Sequence, residues 1–125
     1  MGGQREMKKT IKIGNKDYFM KSSAYTQFKY RDITGRRLLD DIQEISKINK
    51  LSEEEQVSKV EDIIELLFKI SYVMIEEADS SQVTSYEEFL KNTEGIFDTT
   101  EWINEVIELA VAPISRGLQT SPQNQ

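Results

Sequence analysis

Between Val57 and Ala78 apolar side chains recur so densely that, at about 100° per residue, they fill roughly two thirds of a helix circumference. Val57, Val60, Ile63, Ile64, Leu66, Leu67, Phe68, Ile70, Val73, Met74, Ile75 and Ala78 make up that arc. Ser58, Glu61, Asp62, Glu65, Lys69, Tyr72 and Glu76 form the narrow wet stripe opposite. An ordinary surface helix has a narrower apolar arc. The pattern therefore predicts a long helix from Ser52 to Asp79, about 40 Å in length, on which the rest of the chain packs. Ser52 and Glu55 spell a capping box, and Glu53 to Glu55 suit the positive end of the helix dipole. Any part of the arc left uncovered in one copy must be covered by a binding partner or a second copy.

Before this stretch, strand-forming residues flank Gly14-Asn15, predicting a hairpin over 9–13 and 17–21 that needs helices to pack on. Ser22 and Ser23 are cap candidates for a helix from Ala24 to Ile33, with Tyr25, Phe28 and Ile33 turned inward and Gly35 ending it. A second helix, Arg36 to Lys50, places Leu38, Ile42, Ile45 and either Ile48 or Asn49 inside. Its outer face carries Arg37, Asp40, Asp41, Glu44 and Lys47. After the long helix, Ser85 and Glu88 form another capping box opening a short helix to Asn92, and Gly95 closes that segment. A last helix begins near Asp98 and puts Trp102, Val106, Leu109 and Pro113 on one face beside Ile103, Ile107 and Ala110, with Trp102 as core anchor, and Pro113 must kink or terminate it. The predicted fold is mainly α: a small helical bundle around one long central helix, with a short N-terminal β-hairpin. Residues 1–7 read as a disordered leader, 8–118 as a single helical domain and 119–125 as a mobile tail, with Met7 a more natural start than Met1.

Composition removes most chemistry. At 125 residues the chain suits one domain, and it contains neither histidine nor cysteine. The usual general base, the thiolate nucleophile and the common zinc and copper ligands are thus missing, so no enzyme activity, metal or cofactor is expected. A calcium loop read from Asp79 would need oxygen ligands at its third and fifth positions, glycine at the sixth and glutamate at the twelfth; Ser81, Val83, Thr84 and Leu90 stand there. The six glycines are scattered, with no phosphate-cradling loop. No apolar run approaches a membrane span, and the N-terminus lacks a signal-peptide core, which predicts a soluble protein not exported by that route, compatible with a reducing cytoplasm.

Charge changes the picture more than its total of −6 suggests. Residues 1–50 hold 12 Lys/Arg against 6 Asp/Glu, a balance of +6, whereas residues 51–125 hold 4 against 16, a balance of −12. Either the two halves pack on each other within one molecule, or one copy's basic half meets the next copy's acidic half in head-to-tail self-association. Lys29, Arg31, Arg36 and Arg37 surround the Gly35 turn between two predicted helices. A small DNA-binding regulator of a mobile element would place cations at such a turn, although an acidic chain argues against it. The same residues also read as a solvated rim, or as contacts to an acidic protein surface.

The run YRDITGRRLLDDI (Tyr30 to Ile42), followed by ISYVMIEEAD (Ile70 to Asp79), SYEEFL and IFDTTEWINEVIEL, resembles the tail assembly chaperones of long-tailed phages and prophages of Gram-positive bacteria. The likeness runs from about Lys8 to Leu118 in the same order of elements. It implies a mainly helical, non-catalytic protein that coats the tape measure protein while tail-tube subunits, the major tail protein, polymerise around it. It further implies self-association, residence in the host bacterial cytoplasm, and departure before the virion matures. Many such families also make a longer frameshifted product. On this resemblance Tyr30, Arg31, Arg36 and Arg37 are the candidates for contacts between copies or with the client.

Overall fold

The computed structural model describes residues 7–96 and 100–119. Strands β1 (Met7–Ile13) and β2 (Lys16–Ser22) precede helices α1 (Thr26–Thr34) and α2 (Leu38–Ser46), the latter running into a 3₁₀ turn, Lys47–Lys50. Then come α3 (Glu53–Ala78), a 3₁₀ turn at Ser80–Gln82, α4 (Tyr86–Lys91) and α5 (Glu101–Gln119). The fold is mainly α with an N-terminal antiparallel hairpin. Of the expected termini, residues 1–6 and 120–125 lie outside the described residues, as does the predicted helix start at Asp98. Met7 belongs to β1, paired with Ser22, and Gln119 to α5.

The hairpin turns at Gly14, whose φ of 65° suits a residue without Cβ. Alternation then sends Ile11, Ile13, Tyr18, Met20 and Ser22 inward and the lysines outward. Two strands alone are marginal in water. Here β2 packs on α3 and β1 on α5, while Asn15 N–H donates to the Glu94 carbonyl at 3.2 Å. The outer edge of β2 is closed by one side chain: Phe19 N–H donates to Gln82 Oε1 at 2.8 Å, and Gln82 Nε2 donates to the Phe19 carbonyl at 2.7 Å. The Gln82 amide thus occupies the edge as a further peptide group would.

The 26-residue helix α3 starts as its sequence predicts, with both halves of the Ser52–Glu55 capping box formed. It packs on β2, α1, α2, α4 and α5. From Ile63 to Ile75 its apolar side chains are buried or half-buried, each large one removed from water contributing roughly 1.5–3 kcal/mol. The first turns behave differently: Val57 and Val60, expected inside, are 74% and 40% exposed. Among the described residues no other element covers them, and from Glu53 to Asp62 every residue except Gln56 is exposed.

Helix α1 is rotated from its expected orientation. Tyr25, Phe28 and Ile33 are 59%, 64% and 42% exposed, and the buried residues are Thr26 and Tyr30. Polar partners decide this. The Glu77 carboxylate on α3 accepts from Ser23 Oγ and Thr26 Oγ1, each at 2.6 Å, and buried Asp41 on α2 accepts from Tyr30. Neither Ser22 nor Ser23 is the N-cap; that position is Tyr25, without a side-chain cap. Ser23 N–H instead donates to Thr26 Oγ1 and Ser23 Oγ accepts from Tyr25 N–H, and Ser22 is buried against α5. Leu38 and Ile45 face the core from α2 as expected, with Ile42 half-buried.

Aromatic rings join α3, α4, α5 and the hairpin. Phe89 meets Tyr18 edge-on at 5.3 Å and Phe68 at 5.7 Å, and Phe68 stacks on Trp102 at 5.8 Å. Trp102 is buried, and its Nε1–H donates to the Ile96 carbonyl at 3.1 Å. Helix α4 has the forward half of its capping bond, Glu88 N–H to Ser85 Oγ at 3.1 Å. Pro113 does not terminate α5, which runs on to Gln119.

Candidate partner-binding surfaces

Two surfaces stand out, one basic and one acidic. The first surrounds the turn between α1 and α2. Gly35 closes α1 in the left-handed region, φ 75°, with its N–H on the Arg31 carbonyl at 2.8 Å. Thr34 Oγ donates to the Tyr30 carbonyl and accepts from Arg36 N–H. This folds Arg36 back so that its guanidinium grips Asp41 with a fork, Nε to Oδ2 at 2.8 Å and Nη2 to Oδ1 at 2.7 Å. Tyr30 Oη donates to the same carboxylate at 2.5 Å.

Asp41, expected on the outer face of α2, is therefore 1% exposed. Its position in the first turn of α2 and two donors offset its desolvation. Burial alone would raise its pKa, but the bonds from Arg36 and Tyr30 hold the carboxyl below its ordinary value. Burial, then the bond to Asp41, pushes the Tyr30 phenol well above its ordinary range.

The four candidate contact residues thus separate. Tyr30 is fully buried and touches no surface, which corrects its place among them. Arg36 is half-exposed but committed to Asp41. Arg31 and Arg37 are exposed, Arg37 only loosely beside Asp40 at 3.8 Å. With Phe28 and Leu39 these two line a depression of about 140 Å³, and Tyr25 is exposed on the same helix as Phe28. Aromatic and arginine side chains together are the composition enriched in interface hot spots. Sequence reasoning missed Tyr25, Phe28 and Leu39 because it assigned the first two to the core and gave Leu39 no role.

The second surface lies between α3 and α4. Val60, Ile64, Phe68, Tyr86 and Leu90 form an apolar groove of about 310 Å³, with Glu61 and Glu65 at its side. Tyr86 is half-buried, its hydroxyl without a hydrogen-bond partner, and burial followed by the Glu65 charge pushes its phenol up to about 12. The sequence signal for this groove was the excess width of the α3 arc.

Away from both surfaces' lining residues, Lys9 on β1 reaches Glu105 on α5 at 3.2 Å, so the basic and acidic halves do meet within the molecule at that point. Among the described residues no group of three or more acidic side chains is placed to hold a metal ion, and no helix is long and apolar enough to cross a membrane. Compared with protein-family models, curated proteins and solved structures, the chain matches none.

Proposed function

We propose that this chain is a non-catalytic tail assembly chaperone of the long-tailed phage type. It binds the tape measure protein and keeps it soluble in the host cytoplasm while the major tail protein polymerises, and it leaves before the virion is complete. In this reading α3 is the central helix of a small bundle that carries the binding surfaces.

One observation carries the reading: the exposed face of α1 and the start of α2 combine Tyr25, Phe28 and Leu39 with Arg31 and Arg37. A holdase needs apolar surface that is accessible yet flanked by charge, so that it captures amphipathic helices without precipitating itself. The resemblance in the order of segments from about Lys8 to Leu118 supports the same reading.

Co-expression with a tape measure protein of a long-tailed phage of Gram-positive bacteria is the test. The tape measure protein is expected to be insoluble alone and soluble with this chain, and Phe28→Ser combined with Arg31→Glu is expected to abolish rescue. Unchanged insolubility, or full rescue by the double variant, rejects the proposal. A DNA-reading role comes second, because Arg36 is held by Asp41 and Arg37 lies beside Asp40. A salt-dependent gel shift would restore it.

A further inference from the structure

We infer that the groove between α3 and α4 is a docking site for an amphipathic helix whose apolar ridge is flanked by lysine or arginine. The inference goes beyond the chaperone reading, which rests on the α1–α2 surface, and holds whatever the client is.

Three features identify the occupant. First, the apolar ridge of α3 runs unroofed from Val57 through Val60 to Ile64, and Leu90 forms the opposing wall, 37% exposed. Spacings of three and four residues present a ridge inclined as helix ridges are, into which the side chains of a second helix interdigitate. A strand is the poorer fit, since both walls are helices and no strand borders the groove. Second, the walls are almost wholly apolar, so water in the groove is readily displaced by an aliphatic anchor.

Third, charge fixes the sign of the flanks. On the wheel of α3, Glu53, Glu54, Glu61 and Glu65 border the ridge, whereas Lys59 and Lys69 lie toward the far side. Glu65 meets Lys69 at 3.4 Å, and on α4 Lys91 is matched by Glu87 at 3.6 Å. Both pairs are at helix spacing, the second exposed and the first with Lys69 half-buried, and the remaining glutamates leave the rim acidic. An occupant with acidic flanks would be repelled, while one with basic flanks would be steered and held in register.

The probe is a labelled 18-residue peptide with leucines at i, i+3, i+4 and i+7 and lysines on the flanks, titrated with the full chain by fluorescence anisotropy, beside a twin with glutamates in place of lysines. The lysine peptide is expected to bind at least tenfold more tightly than its twin and to weaken as salt rises. Val60→Asp and Leu90→Asp, on opposite walls and already part-exposed, are each expected to weaken it at least tenfold with unchanged circular dichroism. No binding of the lysine peptide, equal binding of the twin, or full binding by both variants overturns the inference. So does equal weakening by Phe28→Ser, which would place the peptide on the α1–α2 surface. A wild-type dimer made monomeric by Val60→Asp but undisturbed by peptide would make a second copy the occupant. A tenfold gain on removing residues 120–125 would make it the chain's own tail. Either result also overturns the inference.

Discussion

The hydroxyl of Ser22 donates to the carbonyl of Leu109 at 2.5 Å, and that carbonyl is the one Pro113 leaves without a donor four residues later in α5. A proline inside a helix removes the N–H that would bond the oxygen at i−4. Both partners are buried, so without Ser22 the carbonyl would face the core unsatisfied. The last residue of the hairpin thus stabilises the irregularity of the last helix. Ser22→Ala is expected to lower stability by about 1–3 kcal/mol in urea unfolding. In a Pro113→Ala background, where the backbone N–H returns, the cost of Ser22→Ala should shrink; purely additive effects would show that the two residues are not coupled.

The Tyr30–Asp41–Arg36 cluster gives stability a defined pH dependence. The Asp41 carboxyl titrates lower in the folded chain than in the unfolded one, where a value of about 3.9 applies. Its contribution is therefore complete above the unfolded pKa and is lost as pH falls through the folded value. Asp41→Asn should flatten the acid limb of a stability-against-pH curve. Asp41→Ala should cost about 1–3 kcal/mol at neutral pH by stranding the Tyr30 hydroxyl. At the alkaline end the raised Tyr30 phenol makes stability fall above about pH 10, since only the unfolded chain ionises readily there. Tyr30→Phe should make that fall less steep.

Gly14 is constrained twice, by its positive φ and by the approach of a neighbouring segment. A Cβ at this position would overlap the Glu94 carbonyl oxygen, the acceptor of the Asn15 N–H. Gly14→Ala should cost about 1–2 kcal/mol for the left-handed conformation alone, with more for the displaced loop. Gly35 has φ 75° but open space around it, so Gly35→Ala should cost only the conformational part. Thermal melts of the two variants measure the difference.

Because Phe28 and Arg31 are exposed, replacing them with serine and glutamate should change stability by less than about 0.5 kcal/mol. Any multimer held by the basic turn should nevertheless dissociate, both in this variant and with rising salt. Sedimentation velocity across a salt series measures this. An intact multimer in the variant would move the self-association contact elsewhere.

The boundaries of α3, the hairpin turn at Gly14 and the inward position of Trp102 were legible in the sequence because their causes are local. Ser52 and Glu55 lie one turn apart, Gly14 needs only its own φ, and a lone large aromatic in a periodic segment seeks the core. The candidate site was legible only in part. Arg31 and Arg37 stand at the surface as their charge requires, while Tyr30 turned inward because an acceptor, Asp41, waits 11 residues away on the next helix.

Other outcomes belonged to the tertiary structure. The rotation of α1 follows its hydrogen bonds to Glu77, 51 residues from Thr26, and the carbonyl that Pro113 leaves free in α5 finds its donor in Ser22, 87 residues from Leu109. Hydrophobic periodicity states which side chains gain from burial, but burial also needs a neighbour to supply the cover. For Val57 and Val60 no such neighbour arrives within the described chain, so a stripe that reads as core becomes open surface. Local hydrogen bonds and single-residue conformations are properties of the sequence by itself. Partners distant along the chain, and the area of surface they cover, exist only once it has folded.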